Sequence, residues 1–329
     1  MLELVASLLF SMFIVFIAAM LFVNAIEYLS CNFQLGGSFV GAILSPLFTS
    51  LPEMIVFVVA VFFAGVSEGE AIGIGTIFGQ PFMASSLSYG LVGLAAIIGF
   101  YLKKRDGLVL EVDRGLVVPY IFVTILFPLT ILPAFIGYHF VFGLFFLATY
   151  IYYVSLMYKR RRVEMIEKVE EPPFVCKIVP HPLYGSILQL IAAVLLLYKG
   201  SHDMVGSVDM LAKQIGISAM GLALIIVPAA TAIPETATAL IWGYRGKDTL
   251  CIGSLVGEKI LYSTFYPGIA LLVTSWELDI HAYLSVVATT LVSLLLLYFI
   301  AKERIPWYGL CLGVFFFIGY AILIFVYHV

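Results

Sequence analysis

The stretch P-L-F-T-S-L-P-E at Pro46–Glu53 has a counterpart in P-A-A-T-A-I-P-E at Pro228–Glu235. Both follow the pattern P-x-x-T-x-[LI]-P-E, and the second copy begins 182 residues after the first, in the other half of the chain. Each copy lies in an apolar run and carries two prolines, which interrupt helices, followed by one glutamate. The repetition predicts two related halves, each with a broken helix at its centre.

The composition places both breaks in a membrane. Of 329 residues, 63% are hydrophobic and 11% are charged, and the mean hydropathy is +1.11. Soluble proteins contain about 45–50% apolar and about 25% charged residues. This balance excludes a soluble domain, a disordered chain, a disulfide scaffold and a nucleic-acid binder. The expected partners are the lipid bilayer and transported ions, with no nucleic acid and no required oligomer.

Five apolar runs of helix length precede a polar stretch, and five follow it. At about 20 residues per crossing, we predict an all-α membrane protein of about ten transmembrane helices in two inverted-topology five-helix repeats, with broken helices at the midplane. The first repeat takes residues 1–158, with its core at 39–102. The second takes residues 184–329, with its core at 216–273. Residues 159–183 form the linker.

The basic residues predict the orientation of the chain. The loops after the third, fifth, seventh and ninth runs hold 14 of the 17 Lys and Arg residues. Because cytoplasmic loops are enriched in basic residues, we expect a protein of the cell membrane with the 159–183 linker in the cytoplasm. Both termini then lie outside.

Glu53 and Glu235 are the candidate ion ligands. A carboxylate at the centre of a bilayer costs at least about 2.5 kcal/mol, and a simple proline kink does not account for one in each half. The prolines leave backbone carbonyls without helical donors, beside the hydroxyls of Thr49, Ser50 and Thr231. Oxygen ligands without His or Cys suit Ca²⁺, Na⁺ or Mg²⁺. We expect no tightly bound cofactor, only transported Ca²⁺ and Na⁺, or H⁺.

A glycine-spaced segment follows each break, I-G-T-I-F-G-Q at Ile74–Gln80 and I-G-S-L-V-G-E at Ile252–Glu258. Glycines four residues apart let membrane helices approach closely. Polar residues at the same spacing share one helix face and are candidates for the other wall of the site. They are Thr76, Gln80, Ser254 and Glu258.

Lys259 is the cation inside an apolar run, next to Glu258. A lysine at membrane depth needs a partner or a route to water. One interpretation is a salt bridge, with Glu258 or across the bundle. The other is that its ammonium group occupies or tunes a cation subsite.

These motifs resemble the alpha repeats of the calcium/cation antiporter superfamily, specifically its sodium/calcium exchanger branch. Members have ten helices in two inverted halves, each with G-T-S-L-P-E followed by G-N-x-x-G-S-N. The resemblance implies that Glu53 and Glu235 are the central ion ligands. It also implies that Thr49 and Thr231 contribute backbone carbonyls and that Ser50 is a sodium ligand.

The second family motif differs in this chain. The family's G-N is replaced by Gly75-Thr76 and Gly253-Ser254, and the later Gly-Ser pairs by Gly79-Gln80 and Gly257-Glu258. A register one turn different in the first half places Thr76 and Gln80 on the family's serine and asparagine positions. The sequence does not choose between the two registers.

The leading hypothesis is therefore a secondary antiporter that exchanges Ca²⁺, or another divalent cation, for Na⁺ by alternating access. A proton-coupled divalent cation exchanger is the nearest alternative. A non-transporting or channel-like relative with an altered ion site is another. An enzyme is not expected, because the chain carries no GxSxG, HExxH or paired-aspartate motif.

Overall fold

The computed structural model describes residues 1–32, 45–160, 173–177 and 181–327. Most of these residues are helical. The α-helices are Leu2–Asn32 (α1), Ser45–Thr49 (α2), Leu51–Val58 (α3), Gly69–Met83 (α4), Tyr89–Tyr101 (α5), Val117–Leu129 (α6), Leu132–Ile136 (α7), His139–Arg160 (α8), Pro182–Ile215 (α9), Ala219–Thr231 (α10), Ile233–Tyr244 (α11), Asp248–Ser263 (α12), Phe265–Val273 (α13), Ile280–Ala301 (α14) and Trp307–Phe325 (α15). The two strands are Val109–Glu111 (β1) and Arg304–Pro306 (β2).

Short turns of other helical types extend several of these helices. π-helical turns at Val59–Phe63 and Ala84–Ser88 follow α3 and α4 directly. Turns of 3₁₀-helix occupy Arg114–Leu116 and Phe174–Lys177. The π turn at Ala84–Ser88 joins α4 and α5 into one rod, 33 residues long, despite Pro81 inside α4.

The prediction of a helical membrane protein is confirmed. Within the described residues, seven helices are long and apolar enough to cross a bilayer, or eight when the bent pair α10 and α11 counts as one span. The predicted count of ten is not confirmed. The apolar runs at 45–63 and 248–273 are divided into shorter helices, none of which reaches the length of a span.

Proline accounts for the division of three of the apolar runs. Pro52 and Pro234 each occupy the second position of a new helix, α3 and α11, directly after a break. Pro267 occupies the third position of α13, just after α12 ends at Ser263. A proline has no backbone N–H, and its ring displaces the carbonyl four residues earlier, so the preceding helix ends there.

The two halves interlock around the breaks. Helix α4 of the first half packs along α10 of the second, and α12 of the second packs against α2 of the first. A Cβ atom added to Gly79 would lie 2.8 Å from Pro228 Cγ, and one added to Gly257 would lie 3.1 Å from Pro46 Cγ. The glycine-spaced helix of each half therefore contacts the broken helix of the other, as an inverted repeat requires.

Helices α1 and α9 form a long antiparallel pair at the side of this core. Ser7 Oγ lies 3.3 Å from Ser207 Oγ near one end of the pair. Near the other end, Gln189 Nε2 donates to Asn24 Oδ1 at 2.8 Å. Polar contacts at both ends hold the two helices in one register.

Arg105 joins the loop after α5 to the adjoining ends of α11 and α12 at one end of the bundle. Its guanidinium group donates to the Gly243 carbonyl at 2.8 Å and to Asp248 Oδ2 at 3.1 Å, and both charged side chains are buried. The antiparallel pair β1 and β2 closes the same end. The loops after α5, α11 and α14, which the basic residues predict to share a side, therefore meet.

Trp276 holds the opposite end together. Its ring is fully buried, 5.5 Å from the ring of Phe78, and its Nε1 donates to the Thr130 carbonyl at 2.9 Å. Beside it, the backbone N–H and hydroxyl of Ser275 both donate to Glu70 Oε2. This end is fixed by aromatic packing rather than by a buried ion pair.

Candidate functional site

The two helix breaks have the same backbone conformation. Ser50, between α2 and α3, has φ −89° and ψ 3°, and Ala232, between α10 and α11, has φ −81° and ψ −1°. The axes of Ala219–Thr231 and Thr236–Tyr244 differ by 61°. Both residues hold the sparsely populated bridge conformation, and the two positions are equivalent in the repeat. The sequence motif therefore produces the same local geometry twice.

Glu53 lies in the first turn of α3, directly after the first break, and its side chain is 1% exposed. A helix N-terminus carries partial positive charge, which favours a carboxylate there. Glu235 occupies the equivalent position in the first turn of α11. The side chains of residues 233–235 lie outside the described part of the chain, so the placement of the Glu235 carboxylate stays a prediction.

The hydroxyl groups at the breaks bond to carbonyls of their own helices. Thr49 Oγ1 donates to the Pro46 carbonyl at 3.3 Å, and Ser50 Oγ donates to the same oxygen at 2.7 Å. In the second half, Thr231 Oγ1 donates to the Val227 carbonyl at 2.9 Å. These bonds use the hydroxyl protons, so the hydroxyl oxygens keep lone pairs to offer to a cation.

Ser50 also contacts the other half of the molecule. Its Oγ lies 2.6 Å from the Tyr266 hydroxyl, which in turn donates to the Ser50 carbonyl at 3.1 Å. The Tyr266 ring packs on Tyr262, with centroids 4.7 Å apart. Sequence reasoning missed Tyr266, although its position next to Pro267 signals a third break in the middle of an apolar run.

Gln80 and Glu258 meet at the interface of the halves. Gln80 Nε2 donates to Glu258 Oε2 at 3.1 Å, and the two residues are 2% and 4% exposed. They hold equivalent positions in the two glycine-spaced segments. The carboxylate is thus held in the apolar interior by an amide that has no charge of its own.

Thr76 and Ser254 lie one turn before this pair. Thr76 Oγ1 donates to the Ile72 carbonyl at 3.0 Å and is buried, whereas Ser254 Oγ donates to the Cys251 carbonyl at 3.0 Å and is half-buried. Both hydroxyls therefore bond within their own helices. They share the helix faces of Gln80 and Glu258, as four-residue spacing requires.

Lys259 points to a different set of helices from Glu258. Its Nζ donates to Ser293 Oγ on α14 at 2.8 Å and lies 5.4 Å and 5.7 Å from the ring centroids of Tyr89 and Tyr120. Of the two interpretations of Lys259, the salt bridge has no partner among the described carboxylates, none of which lies within ion-pair distance of this ammonium group.

The described side chains do not bring three or more His, Cys, Asp or Glu residues together around one point. The polar groups buried in the described parts of the two repeat cores include the carboxylates Glu53 and Glu258, the amide of Gln80, which donates to Glu258, and hydroxyl groups at the breaks. Oxygen donors of this kind suit hard cations.

A family comparison identifies this architecture. The family model described as sodium/calcium exchanger protein matches residues 3–159 and 185–327. The chain belongs to the sodium/calcium exchanger protein family. The resemblance seen in the two P-x-x-T-x-[LI]-P-E motifs is therefore confirmed over almost the whole chain.

Several known proteins are similar to this chain along most of their length. The inner membrane protein YrbG of Escherichia coli K12 is 22% identical over 261 residues, which cover 79% of this chain and 77% of YrbG. The crystal structure of the H⁺/Ca²⁺ exchanger CAX superposes with a TM-score of 0.75 at 19% identity, covering 96% of this chain and 81% of that one. The sodium-calcium exchanger NCX_Mj, soaked with Na⁺ and Sr²⁺, gives 0.60 at 20% identity and covers 98% of both chains. Both superpositions confirm the exchanger fold.

Proposed function

We propose that the protein is a secondary antiporter that exchanges Ca²⁺ for Na⁺ across the cell membrane by alternating access. The observation that carries the proposal is Glu53, a buried carboxylate at the start of a half-helix beside the interface of the two repeats. Transporters with inverted repeats bind their ions near the midplane, on discontinuous helices. Glu53 occupies such a position, and the repeat assigns the same position to Glu235.

The ligand set supports a divalent cation. Ca²⁺ takes six to eight oxygen ligands in flexible geometry, at about 2.3–2.6 Å. Glu53, Glu258 and Gln80 supply carboxylate and amide oxygens in the buried interior. The CAX and NCX_Mj structures are both named as calcium exchangers, which supports Ca²⁺ over Mg²⁺.

The driving ion is proposed to be Na⁺, because the first break retains Ser50, the residue that the family resemblance implies to be a sodium ligand. Proton coupling is the second candidate. Glu258 stands where the first half has Gln80, and an extra carboxylate can carry a proton as well as bind a metal ion. CAX, which is similar in fold, is named as an H⁺/Ca²⁺ exchanger, and this similarity supports the alternative.

An acidic cavity supports a path for cations into the site. It has a volume of about 360 Å³ and lies at the end opposite Arg105, with Glu68, Glu70 and Glu277 in its lining. It reaches Ile74, two residues before Thr76. Carboxylates around such an opening raise the local concentration of cations. With the basic loops in the cytoplasm, this cavity opens to the outside, and both termini lie outside as well.

The moving part is proposed to be the pair α1 and α9. These helices are held to each other at both ends, at Ser7–Ser207 and Asn24–Gln189. They pack as one unit against the interlocked core of broken and glycine-spaced helices. Sliding of this pair along the core would open the ion site to one side of the membrane and then to the other.

Transport in liposomes tests the proposal. The purified protein is reconstituted with internal Na⁺, and Ca²⁺ uptake is measured with a Na⁺ gradient, with a pH gradient and with neither. Na⁺-driven uptake is expected. Glu53→Gln and Glu235→Gln should each reduce it by about 100-fold or more, since even an outer-shell change around a metal ion costs about 10- to 100-fold.

Glu303→Gln is the matched control, because it makes the same substitution at an exposed position, between α14 and β2. It should leave uptake unchanged. Uptake that follows only the pH gradient would establish the proton-coupled alternative. Uptake that ignores both gradients, or that survives both glutamate substitutions, would contradict the antiporter proposal.

A further inference from the structure

Lys259 is a buried basic residue with no role in the proposed exchange reaction. It lies in the middle of α12, one residue after Glu258, and is 1% exposed. Successive helical residues point about 100° apart. Glu258 accordingly faces α4 and the bond from Gln80, whereas Lys259 faces α14.

The surroundings of Lys259 suit an ammonium ion. Its Nζ donates to Ser293 Oγ at 2.8 Å, and Ser293 Oγ donates onward to the Thr289 carbonyl at 2.6 Å. The rings of Tyr89 and Tyr120 lie within the range of a cation–π contact. An ammonium group can only donate hydrogen bonds, and this pocket offers it an acceptor oxygen and two electron-rich faces.

These contacts satisfy the ammonium group without cancelling its charge. Within the described side chains, Nζ has no carboxylate at ion-pair distance, and Ser293, Tyr89 and Tyr120 are neutral groups. In the apolar interior, such a charge acts over a longer range than in water. The nearest carboxylate along the chain belongs to Glu258, on the adjacent residue.

The charge balance of the ion-binding core therefore includes Lys259. Leaving aside Asp248, which is paired with Arg105, the apolar runs of the two repeat cores hold three carboxylates, Glu53, Glu235 and Glu258, and one ammonium group, that of Lys259. The formal sum is two negative charges. One divalent ion or two monovalent ions neutralise that sum, whereas the three carboxylates alone would require three monovalent ions.

We propose that Lys259 is a resident cation of the transport core, which takes the place of one monovalent ion and makes the exchange electroneutral, with two monovalent ions for each divalent ion. The inference rests on the proposed function and adds its stoichiometry. Lys259 acts here on the charge balance and does not bind the transported ion itself.

The first test measures charge movement by the native protein. Liposomes containing the full chain are loaded with Na⁺, and the membrane potential is set with K⁺ and valinomycin. Ca²⁺ uptake should not depend on that potential. A ten-fold Na⁺ gradient should balance a Ca²⁺ gradient of about a hundred-fold, since two sodium ions contribute twice the free energy of one. If a pH gradient drives uptake instead, the same measurement applies to protons.

The second test removes the charge. Lys259→Met and Lys259→Gln remove one positive charge from the core, so each variant should move one additional monovalent ion and one net charge per Ca²⁺. The same ten-fold Na⁺ gradient at zero potential should then balance about a thousand-fold Ca²⁺ gradient. Lys259→Arg keeps the charge and should keep the native ratio. If the Met variant does not fold, the Gln variant takes its place in the test, because its amide retains a hydrogen-bond donor for Ser293.

The outcomes separate this inference from the proposed function. Native uptake that moves one net charge per Ca²⁺ would overturn the inference while leaving an exchanger in place. Unchanged stoichiometry in a folded Lys259→Met or Lys259→Gln protein would also overturn it, because a purely structural lysine alters stability and not the ion ratio. Failure of the native protein to exchange Ca²⁺ at all would contradict the proposed function first.

Discussion

The two halves of the molecule have the same backbone conformation at their helix breaks, but they differ in several side chains at equivalent positions. Ser50 and Ala232 hold nearly the same φ and ψ, and each precedes a half-helix with a glutamate in its first turn. Yet Ser50 has a hydroxyl group bonded to Tyr266, and Ala232 has none. In the glycine-spaced helices, Gln80-Pro81 of the first half corresponds to Glu258-Lys259 of the second.

The repeated residues and the unrepeated residues have different roles. The prolines of the P-x-x-T-x-[LI]-P-E motifs and the spaced glycines, which act on the backbone and on helix distance, are repeated and build the scaffold. Thr49 and Glu53 also recur, as Thr231 and Glu235, whereas Ser50, Gln80 and Pro81 are replaced by Ala232, Glu258 and Lys259, which changes the charge of the second half. Substitutions that exchange or equalise the two halves therefore show which differences matter.

The largest effect on stability is expected at the two ends of the helix bundle. One end is held by the buried Arg105–Asp248 ion pair and the other by the buried ring of Trp276. Arg105→Met leaves the Asp248 carboxylate buried without its partner, which should reduce stability by about 3–5 kcal/mol. Trp276→Phe keeps a ring but loses the bond to the Thr130 carbonyl, which should cost about 1–3 kcal/mol. Thermal unfolding of both variants in the same detergent measures the difference.

Arg105→Met combined with Asp248→Asn is the control for that comparison. It removes both charges and keeps an acceptor for the Glu111 backbone N–H, so part of the lost stability should return. Equal losses for Arg105→Met and Trp276→Phe would show that the buried charge has no special importance.

The next effect concerns the Gln80–Glu258 pair. Gln80→Glu places two carboxylates where an amide now donates to a carboxylate at 3.1 Å, and Glu258→Gln removes the charge. Each change should reduce Ca²⁺ exchange by about 10- to 100-fold, the usual cost of altering a polar partner around a metal ion. Initial uptake rates measured across a range of Ca²⁺ concentrations quantify the loss.

The double variant with Gln80→Glu and Glu258→Gln tests whether the two halves are interchangeable at this position. It restores one amide and one carboxylate in reversed positions, so uptake should recover to within about ten-fold of the native rate. If the double variant is no better than the weaker single variant, the charge must stay next to Lys259 for the site to work.

The smallest effect is expected at the breaks themselves. Ser50→Ala removes the hydroxyl contact with Tyr266 and should lower stability by about 1 kcal/mol. Ala232→Ser adds a hydroxyl that can bond to its own helix, as Ser50 does to Pro46, and should leave stability nearly unchanged. Unfolding in detergent again measures both. A loss from Ala232→Ser as large as that from Ser50→Ala would mean that the second break is tightly packed.

Much of the fold follows from local sequence. Apolar run length predicts the long helices, and Pro52 and Pro234 predict the two matched breaks, because proline acts on its own helix. The same rule applied to Pro267 would have predicted the end of α12. The π-helical turns at Val59–Phe63 and Ala84–Ser88 contain no proline or glycine and have no comparable signal.

The site was predicted less completely, because its contacts join distant parts of the chain. The helical spacing placed Gln80 and Glu258 on corresponding faces, but their hydrogen bond spans 178 residues. Tyr266, the partner of Ser50, lies 216 residues away. For Lys259, the sequence left a salt bridge and a cation-tuning role open, and it gave no sign of the neutral partners, Ser293 on α14 and the two tyrosine rings.

The length of the α1–α9 pair connects the protein to the lipid around it. Helix α9 has 34 residues, and at 1.5 Å per residue it is about 51 Å long, whereas the hydrocarbon core of a bilayer is about 30 Å thick. The pair must therefore tilt or extend beyond the acyl chains, and a thinner bilayer demands a steeper tilt. If these two helices slide as proposed, the acyl-chain length of the host membrane would act directly on the distance that they travel.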